Sequence, residues 1–209
     1  FPGSFAWGIY TIFLADMLYF SGQLDKALKI VLPIENDIKK HEKNLDEVMV
    51  LMLNSNASII LFLGNDFDKA GKLALKAISE SSLQVRSEAI IELWMILIAC
   101  KIEKKQFSLA EIQIKLLIKY LKQKKLYTTT SIETSIINFL KSICAIKSYK
   151  KNSKSSAQLR NLLIKRIDDM EKEGRYEYLY IISWWIESKL SGKPLVELIR
   201  KNFVKYSVR

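Results

Sequence analysis

The chain has 209 residues, 49% hydrophobic and 26% charged, a composition that fits a folded protein with a sizeable core and excludes a disordered chain. With 7 Gly and 3 Pro there are too few turn residues for many short strands, and the abundant Leu, Ile, Lys, Glu and Ala favour helix. The net charge of +11 is uneven, because residues 1–100 carry 9 basic and 12 acidic side chains whereas residues 101–209 carry 24 and 10.

The first half of the chain predicts helices that are separated by short breaks. An apolar run over Phe5–Phe20 ends at Gly22, and the next helix begins at Leu24 and is ended near Leu32 by Pro33. A polar helical extension follows. Asn44 comes after it and can cap the start of the next helix. The helices predicted up to residue 122 are 5–20, 24–32, 34–43, 45–63, 66–79, 87–101 and 106–122.

The second half predicts a further four helices. The cluster Thr128–Ser131 can cap a helix, and Lys150–Ser156 is the most loop-like segment of the chain. The adjacent Trp184 and Trp185 point to different faces of their helix, so we expect one in the core, and the other either at a surface or in contact with a neighbour that this chain lacks. The helices predicted here are 132–149, 156–173, 175–190 and 195–206. No stretch alternates as a strand does.

The stretch Leu63–Ser79 contains a turn between two helices that other parts of the chain repeat. Gly64 and Asn65 tolerate a left-handed helix end, and Asp66 can cap the next helix by accepting from free backbone N–H groups. Small side chains then share one face of that helix, where a neighbouring helix can approach closely: Ala70, Ala74 and Ala77.

Small residues recur along the chain with separations of 43, 40 and 47 residues, at Ala27, Ala70, Ala110 and Ala157. Two helices per unit at such spacing are typical of an α-solenoid, in which stacked units share one core. The sequence therefore predicts an all-α, right-handed solenoid of about five antiparallel helix pairs in a single domain over 1–209, with contacts between neighbouring units only. The predicted repeats are approximately 5–43, 44–82, 83–126, 127–173 and 174–209.

These units resemble the tetratricopeptide repeat, with a Leu and a small residue in the first helix, Gly at the turn and Ala in the second helix. The matching residues are Leu14, Ala15, Leu18, Gly22, Ala27, Ser58, Asn65, Ala70, Ala77, Trp94, Leu97, Ala110, Ala145, Ala157 and Gly192. The units are longer than the roughly 34 residues usual in that family, and they are similar to long-period repeats of bacterial regulatory proteins.

The resemblance implies that the first helices of the pairs line a concave face that binds an extended ligand. The residues that it places near that face are Tyr19, Met52, Ser55, Glu92, Met95, Ser142 and Tyr149. Met and Tyr side chains suit adaptable binding. The alternative is that several of these residues pack one repeat against the next.

The residue types needed for most catalytic and metal sites are scarce in this chain. The one histidine, His41, lies in a polar run, and a surface imidazole is the favoured interpretation. Cys100 and Cys144 lie in apolar runs, where buried free thiols fit a reducing compartment, although a disulfide between them stays open. The glycines form no phosphate loop. We therefore expect no catalytic, cofactor-binding or metal-binding residues.

The run Phe5–Phe20 is too short for a membrane span and contains Asp16, so we expect no transmembrane helix and a cytoplasmic protein. Because the chain begins at Phe1 and has no signal peptide, we expect it to be part of a larger protein.

Three functional hypotheses follow, and an enzyme is the least favoured class. The first is a non-enzymatic repeat module that binds a protein or peptide, and the second is a sensor domain of a larger bacterial transcription regulator. The third is nucleic-acid binding by the basic half, although few Arg or aromatic residues accompany its lysines. The candidate basic patch comprises Lys147, Lys150, Lys151, Lys154, Arg160, Lys165 and Arg166. The oligomeric state is left open.

Overall fold

The computed structural model describes residues 3–81, 87–128, 131–147, 161 and 180–207, and every regular element within these ranges is helical. The prediction of an all-α protein is confirmed over that part of the chain. The helices are α1 Phe5–Phe20, α2 Leu24–Val31, α3 Ile34–His41, a 3₁₀ turn Glu42–Asn44, α4 Glu47–Leu63, α5 Phe67–Glu80, α6 Ser87–Glu103, α7 Phe107–Gln123, α8 Ile132–Ile146, α9 Tyr180–Ser191 and α10 Leu195–Ser207.

The starts of the helices are fixed by side-chain caps. Asp66 accepts a hydrogen bond from the Lys69 backbone N–H at 3.2 Å, as its position before α5 predicted. The cap of α4 was predicted wrongly: Asp46 accepts from the Met49 backbone N–H at 2.7 Å, while Asn44 ends the preceding 3₁₀ turn. Five residues, Glu42–Asp46, separate α3 from α4, and the cap of α4 lies two residues later than predicted.

The ends of four helices share one geometry. The second residue after each of these helices has a positive φ, and it is Gly22 (80°), Asn65 (62°), Lys105 (57°) or Lys125 (59°). Its backbone N–H and that of the next residue both bond back into the last helical turn, as in the pair Asn65 N to Phe62 O and Asp66 N to Leu61 O. The left-handed position at the second turn is thus Asn65, and Gly64 keeps a φ of −77°.

Consecutive helices pack against one another from α3 to α8, as do α1 and α2, and the first helices α1, α4 and α6 also lie side by side. Asp16 of α1 bonds to Asn56 of α4, and a side chain at Gly8 of α1 would meet Met49 of α4. The later residue of α1, Asp16, contacts the later residue of α4, Asn56, and the earlier residue Gly8 contacts the earlier residue Met49. The helices α1 and α4 therefore run parallel. The second helices α2 and α5 pack into the next unit, against α4 and α6 respectively.

Close packing at α5 depends on its small residues. Ala70 and Ala74 are completely buried, and a Cβ added at Gly71 would lie 3.4 Å from the Cβ of Cys100 on α6. The predicted small-residue face of α5 is confirmed. Cys100 and Cys144 are both buried and free, which settles the alternative of a disulfide between them.

The expectation that units contact only their neighbours is wrong. The last described helices return to the first ones: α9 packs against α6, and α10 packs against α1. Trp184 makes an edge contact with Phe20 of α1, with ring centroids 6.5 Å apart, and Trp185 makes one with Phe62 of α4 at 6.1 Å. Both tryptophans are therefore buried within this chain, so neither lies at a surface or awaits a missing neighbour, as we expected of one of them. Burial of two large aromatic side chains favours this return strongly.

Polar contacts also hold α9 and α10 against the earlier helices. The Trp185 indole N–H donates to the Glu103 carboxylate of α6 at 2.6 Å, and Lys189 pairs with that carboxylate at 2.5 Å. The Arg200 guanidinium of α10 donates to the carbonyl oxygen of Gly22 at 3.1 Å. The helices α9 and α10 thereby join α1, α4 and α6 in one body.

The outward face of α1 is apolar, with Phe5, Tyr10, Phe13 and Met17 each more than 60% exposed. Within the described ranges, none of the helices combines the length and hydrophobicity that crossing a membrane would require.

The substitution Ala70→Leu tests the packing of α5. Adding a branched side chain at a completely buried position should overpack the helix contact and lower the free energy of unfolding by about 1–3 kcal/mol, measured by urea denaturation. Lys72→Leu, at an exposed position of the same helix, is the matched control and should change stability little. An Ala70→Leu variant as stable as the wild type would show that α5 is not packed at this face.

The substitution Lys105→Gly tests the helix-end geometry. Lys105 is exposed and has a φ of 57°, which costs a residue with a Cβ more than it costs glycine. We expect the variant to be more stable than the wild type by up to about 1 kcal/mol in urea denaturation. Lys115→Gly, exposed within α7, should instead lose about 1 kcal/mol. Equal destabilisation by both changes would refute the left-handed end at Lys105.

Candidate functional site

A polar cluster lies between the three first helices. It is formed by Asp16 and Tyr19 of α1, Asn56 of α4 and Glu92 of α6, and these four residues are called the polar cluster below. The surrounding helix surfaces are apolar, since α4 and α6 are buried around most of their circumference. Polar groups at such positions lose hydration and need hydrogen-bond partners, which makes the cluster a candidate site.

The cluster is held by one hydrogen bond between helices. The Asn56 side-chain N–H donates to Asp16 Oδ1 at 2.5 Å, which joins positions 40 residues apart in the sequence. Asn56 is 9% exposed, so this bond lies largely out of water and its strength matters more than that of a surface contact. The bond fixes the Asp16 carboxyl on the side of α1 that faces α4.

Both carboxyl groups of the cluster resist ionisation. Burial raises the pKa of Asp16 to about 6, even though the hydrogen bond from Asn56 acts in the opposite direction. Burial also raises the pKa of Glu92 to about 8, and the negative charge of Asp16 adds to that rise. Glu92 nevertheless keeps part of its surface exposed, so the cluster is deep but open to solvent.

Tyr19 completes the cluster. Its side chain is 8% exposed and its ring packs on Phe20, with centroids 4.0 Å apart. Burial raises the pKa of Tyr19 well above its usual range, and the negative charges of Asp16 and Glu92 add to this rise. Among the described residues, the salt bridges include neither Asp16 nor Glu92.

The helix α9 contacts α1, α4 and α6, the same three helices that form the polar cluster. Its contacts fall on Phe20, Phe62 and Glu103, which are at or near the carboxyl ends of α1, α4 and α6. Asp16 precedes Phe20 by one helical turn, and Glu92 precedes Glu103 by about three turns. On α1 the contact with α9 is therefore next to the cluster, since Phe20 follows Tyr19 directly, whereas on α6 it lies about three turns from Glu92.

The residues predicted for the concave face have different environments. Tyr19 and Glu92 come together in the polar cluster, while Ser55 (6% exposed) and Met95 (0%) are buried. Met52 is half-buried on α4. Ser142, also half-buried, donates to the Phe139 carbonyl oxygen of its own helix at 2.7 Å. Tyr149 lies outside the described residues. Their roles in binding stay predictions.

Of the predicted basic patch, only Lys147 lies in the described ranges. It is exposed and ends α8 with a φ of 55°, so this helix stops three residues earlier than predicted. The remaining members lie outside the described residues: Lys150, Lys151, Lys154, Arg160, Lys165 and Arg166.

The sequence interpretation did not include Asp16 and Asn56 in any site. Asp16 gave a signal, because it is the only charged residue between Phe5 and Phe20, whereas Asn56 is one of several polar residues in the middle of α4, with Asn54, Ser55 and Ser58. Their pairing depends on which residues of α1 and α4 face each other, and that register arises from tertiary packing.

The cluster offers acceptors for a cationic group. Two carboxyls and a hydroxyl can accept hydrogen bonds there, and the low local polarity would strengthen them. Within the described part of the chain, no group of three His, Cys, Asp or Glu side chains is arranged to hold a metal ion. Comparison with known proteins found no matching family model, curated protein or solved structure.

The substitution Glu92→Gln tests the burial of this carboxyl. Because the folded-state pKa of Glu92 is raised, its contribution to stability is complete below about pH 4.5 and is lost as the pH rises to about 8. The wild type should lose stability on the order of 1–3 kcal/mol over this interval from Glu92, and the variant should show a flatter profile. Urea unfolding at pH 5, 6.5 and 8 measures the difference.

Glu88→Gln is the matched control, since Glu88 is exposed one turn earlier on α6. It should keep the slope of the wild type. Parallel stability profiles for the wild type and Glu92→Gln would contradict the burial of this side chain.

Proposed function

We propose that this chain is a non-enzymatic helical-repeat module that binds a peptide or protein segment along α1, α4 and α6. The observation that carries the proposal is the polar cluster, to which each of these three helices contributes a side chain. A face made of parallel helices presents equivalent positions at regular steps, and such a face suits an extended ligand.

We further propose that the first three helix pairs form a right-handed, tetratricopeptide-like solenoid. The side-by-side packing of first helices and the packing of α2 and α5 into the next unit support it. The spacing of 40 residues between the paired Asp16 and Asn56 agrees with the spacing of the small residues along the chain. The return of α9 and α10 to the first helices departs from a simple stack and would shorten the available face.

The two alternatives remain hypotheses. The sensor role in a larger transcription regulator depends on sequence beyond this chain. The nucleic-acid role rests on the basic patch, of which Lys147 is the described member. The polar cluster is acidic, so it favours a ligand other than nucleic acid at the face of α1, α4 and α6.

Selection of random hexapeptides, acetylated and amidated at their ends, on the immobilised full chain tests the proposed function. We expect selected peptides to bind in calorimetry, and to slow backbone hydrogen exchange in α1, α4 and α6 while leaving α7 unchanged. Failure to select any peptide, or protection confined to α7 and α8, would contradict the proposal.

A second arm addresses nucleic acid. If a peptide is the ligand, charge reversal at Lys150, Lys151 and Lys154 should leave the equilibrium affinity for the selected peptides nearly unchanged. Binding of random oligonucleotides at low micromolar concentration and near-physiological salt would exceed typical non-specific affinity and favour the nucleic-acid hypothesis. That binding should then weaken with the charge reversals and lose roughly one unit of salt-dependence slope per phosphate contact removed.

A further inference from the structure

The outward side of α1 carries a stripe of exposed apolar side chains. Tyr10, Phe13 and Met17 are 65%, 64% and 65% exposed, and the exposed Ala6 lies one turn before Tyr10. Steps of four, three and four residues keep these side chains on one side of the helix, and the four residues are called the α1 stripe below. Contiguous exposed apolar side chains that include aromatic and Met residues are typical of protein interfaces.

The corresponding side of α4 is covered by another helix. The two helices can be aligned by their left-handed end residues, Gly22 after α1 and Asn65 after α4. The α4 residues at the positions of the α1 stripe are each 9% exposed or less: Met49, Leu53, Asn56 and Ile60. The contacts with Gly8 and Asp16 show that this side of α4 faces α1. The α1 stripe thus occupies the position that, in the next unit, packs against a neighbouring first helix.

We propose that the α1 stripe is a dimer interface, covered by the α1 stripe of a second copy of this chain that runs antiparallel to it about a two-fold axis. The proposal goes beyond the proposed function, because it concerns a different side of α1 from the one that packs on α4. It does not depend on peptide binding.

The spacing within the α1 stripe fits a two-fold axis. Because the steps read the same in both directions, an antiparallel copy places Tyr10 opposite Phe13 of the partner subunit, and Ala6 opposite Met17 of the partner subunit. A small side chain then meets a long one at each end, and aromatic rings meet on both sides of the axis, so the two surfaces interdigitate. In a parallel pair each residue would face its own copy, which leaves a gap between the alanines and crowds the phenylalanines.

The charges of α1 favour a second copy over a membrane surface. The one charged residue between Phe5 and Phe20 is Asp16, which bonds to Asn56 of α4, so no like charges oppose one another across paired stripes. A helix that lies on a membrane surface typically carries Lys or Arg beside its apolar side, and α1 contains neither.

Sedimentation equilibrium of the full chain tests the proposal. We expect a reversible monomer–dimer equilibrium at micromolar concentrations. Phe13→Glu, which would bury an unpaired carboxylate beside the two-fold axis, should weaken dimerisation at least about tenfold. Phe13→Ala, which introduces no charge, should weaken it less. Ile112→Glu makes the same kind of change at a residue of α7 that is 50% exposed, and it should leave the dimer unchanged.

Mixing two variants tests the antiparallel geometry. Phe13→Glu and Tyr10→Lys should each be mainly monomeric alone. In an antiparallel heterodimer of the two, the new carboxylate lies opposite the new ammonium, and the other Tyr10–Phe13 contact keeps its natural residues. The equimolar mixture should therefore dimerise at least about tenfold more tightly than either variant alone. Recovery of the dimer would also show that both variants are folded.

Three results would overturn the proposal. The first is a wild-type chain that stays monomeric throughout the micromolar range. The second is a dimer that Phe13→Glu and Tyr10→Lys leave unchanged, because its interface would then lie elsewhere. The third is a mixture of the two variants that dimerises no better than either alone. A monomeric wild type that co-sediments with phosphatidylcholine–phosphatidylserine vesicles, with this binding lost in Phe13→Glu, would identify a membrane as the occupant instead.

Discussion

The burial of α4 and α6 on nearly all sides is the constraint on which the rest of the structure depends. Each is covered by its own partner helix, by the second helix of the preceding unit and by a first helix alongside, and α6 is covered by α9 as well. Helices that are apolar all round are stable only when surrounded in this way. The small residues of α5, and the left-handed helix ends after α4 and α6, are the local features that let the neighbouring helices come close enough.

This burial gives each polar group inside the structure a large energetic consequence. A carboxyl such as Glu92 loses hydration without gaining a charge partner among the described residues, so its neutral form is favoured. Glu103 of the same helix has the opposite environment, because Trp185 and Lys189 of α9 satisfy it. One acidic residue of α6 thus binds α9, whereas the other has no charge partner among the described residues. The contrast between Glu92 and Glu103 is what connects the fold to the proposed function.

The sequence predicted the elements of this fold better than their contacts. The bounds of α1, the cap at Asp66 and the small face of α5 follow from local chemistry, namely helix periodicity, a capping carboxylate and the packing of alanine. The return of α9 and the pairing of Asp16 with Asn56 depend on contacts between distant positions, and no local pattern encodes those. Tyr19 and Glu92 were found through a family resemblance, which specified a face of the helices but not the partners on it.

The most direct measurement is a carbon-13 NMR titration of the side-chain carboxyls in the full chain, with Asp16→Asn and Glu92→Gln for assignment. The account predicts that Asp16 titrates near pH 6 and Glu92 near pH 8, since both are buried in the same cluster and Asp16 raises the pKa of Glu92. It also predicts that the pKa of Glu92 falls in the Asp16→Asn variant, where that charge is absent. Titration of Glu92 near its ordinary value of 4.5, unaffected by Asp16→Asn, would show that α1, α4 and α6 do not bring these groups together.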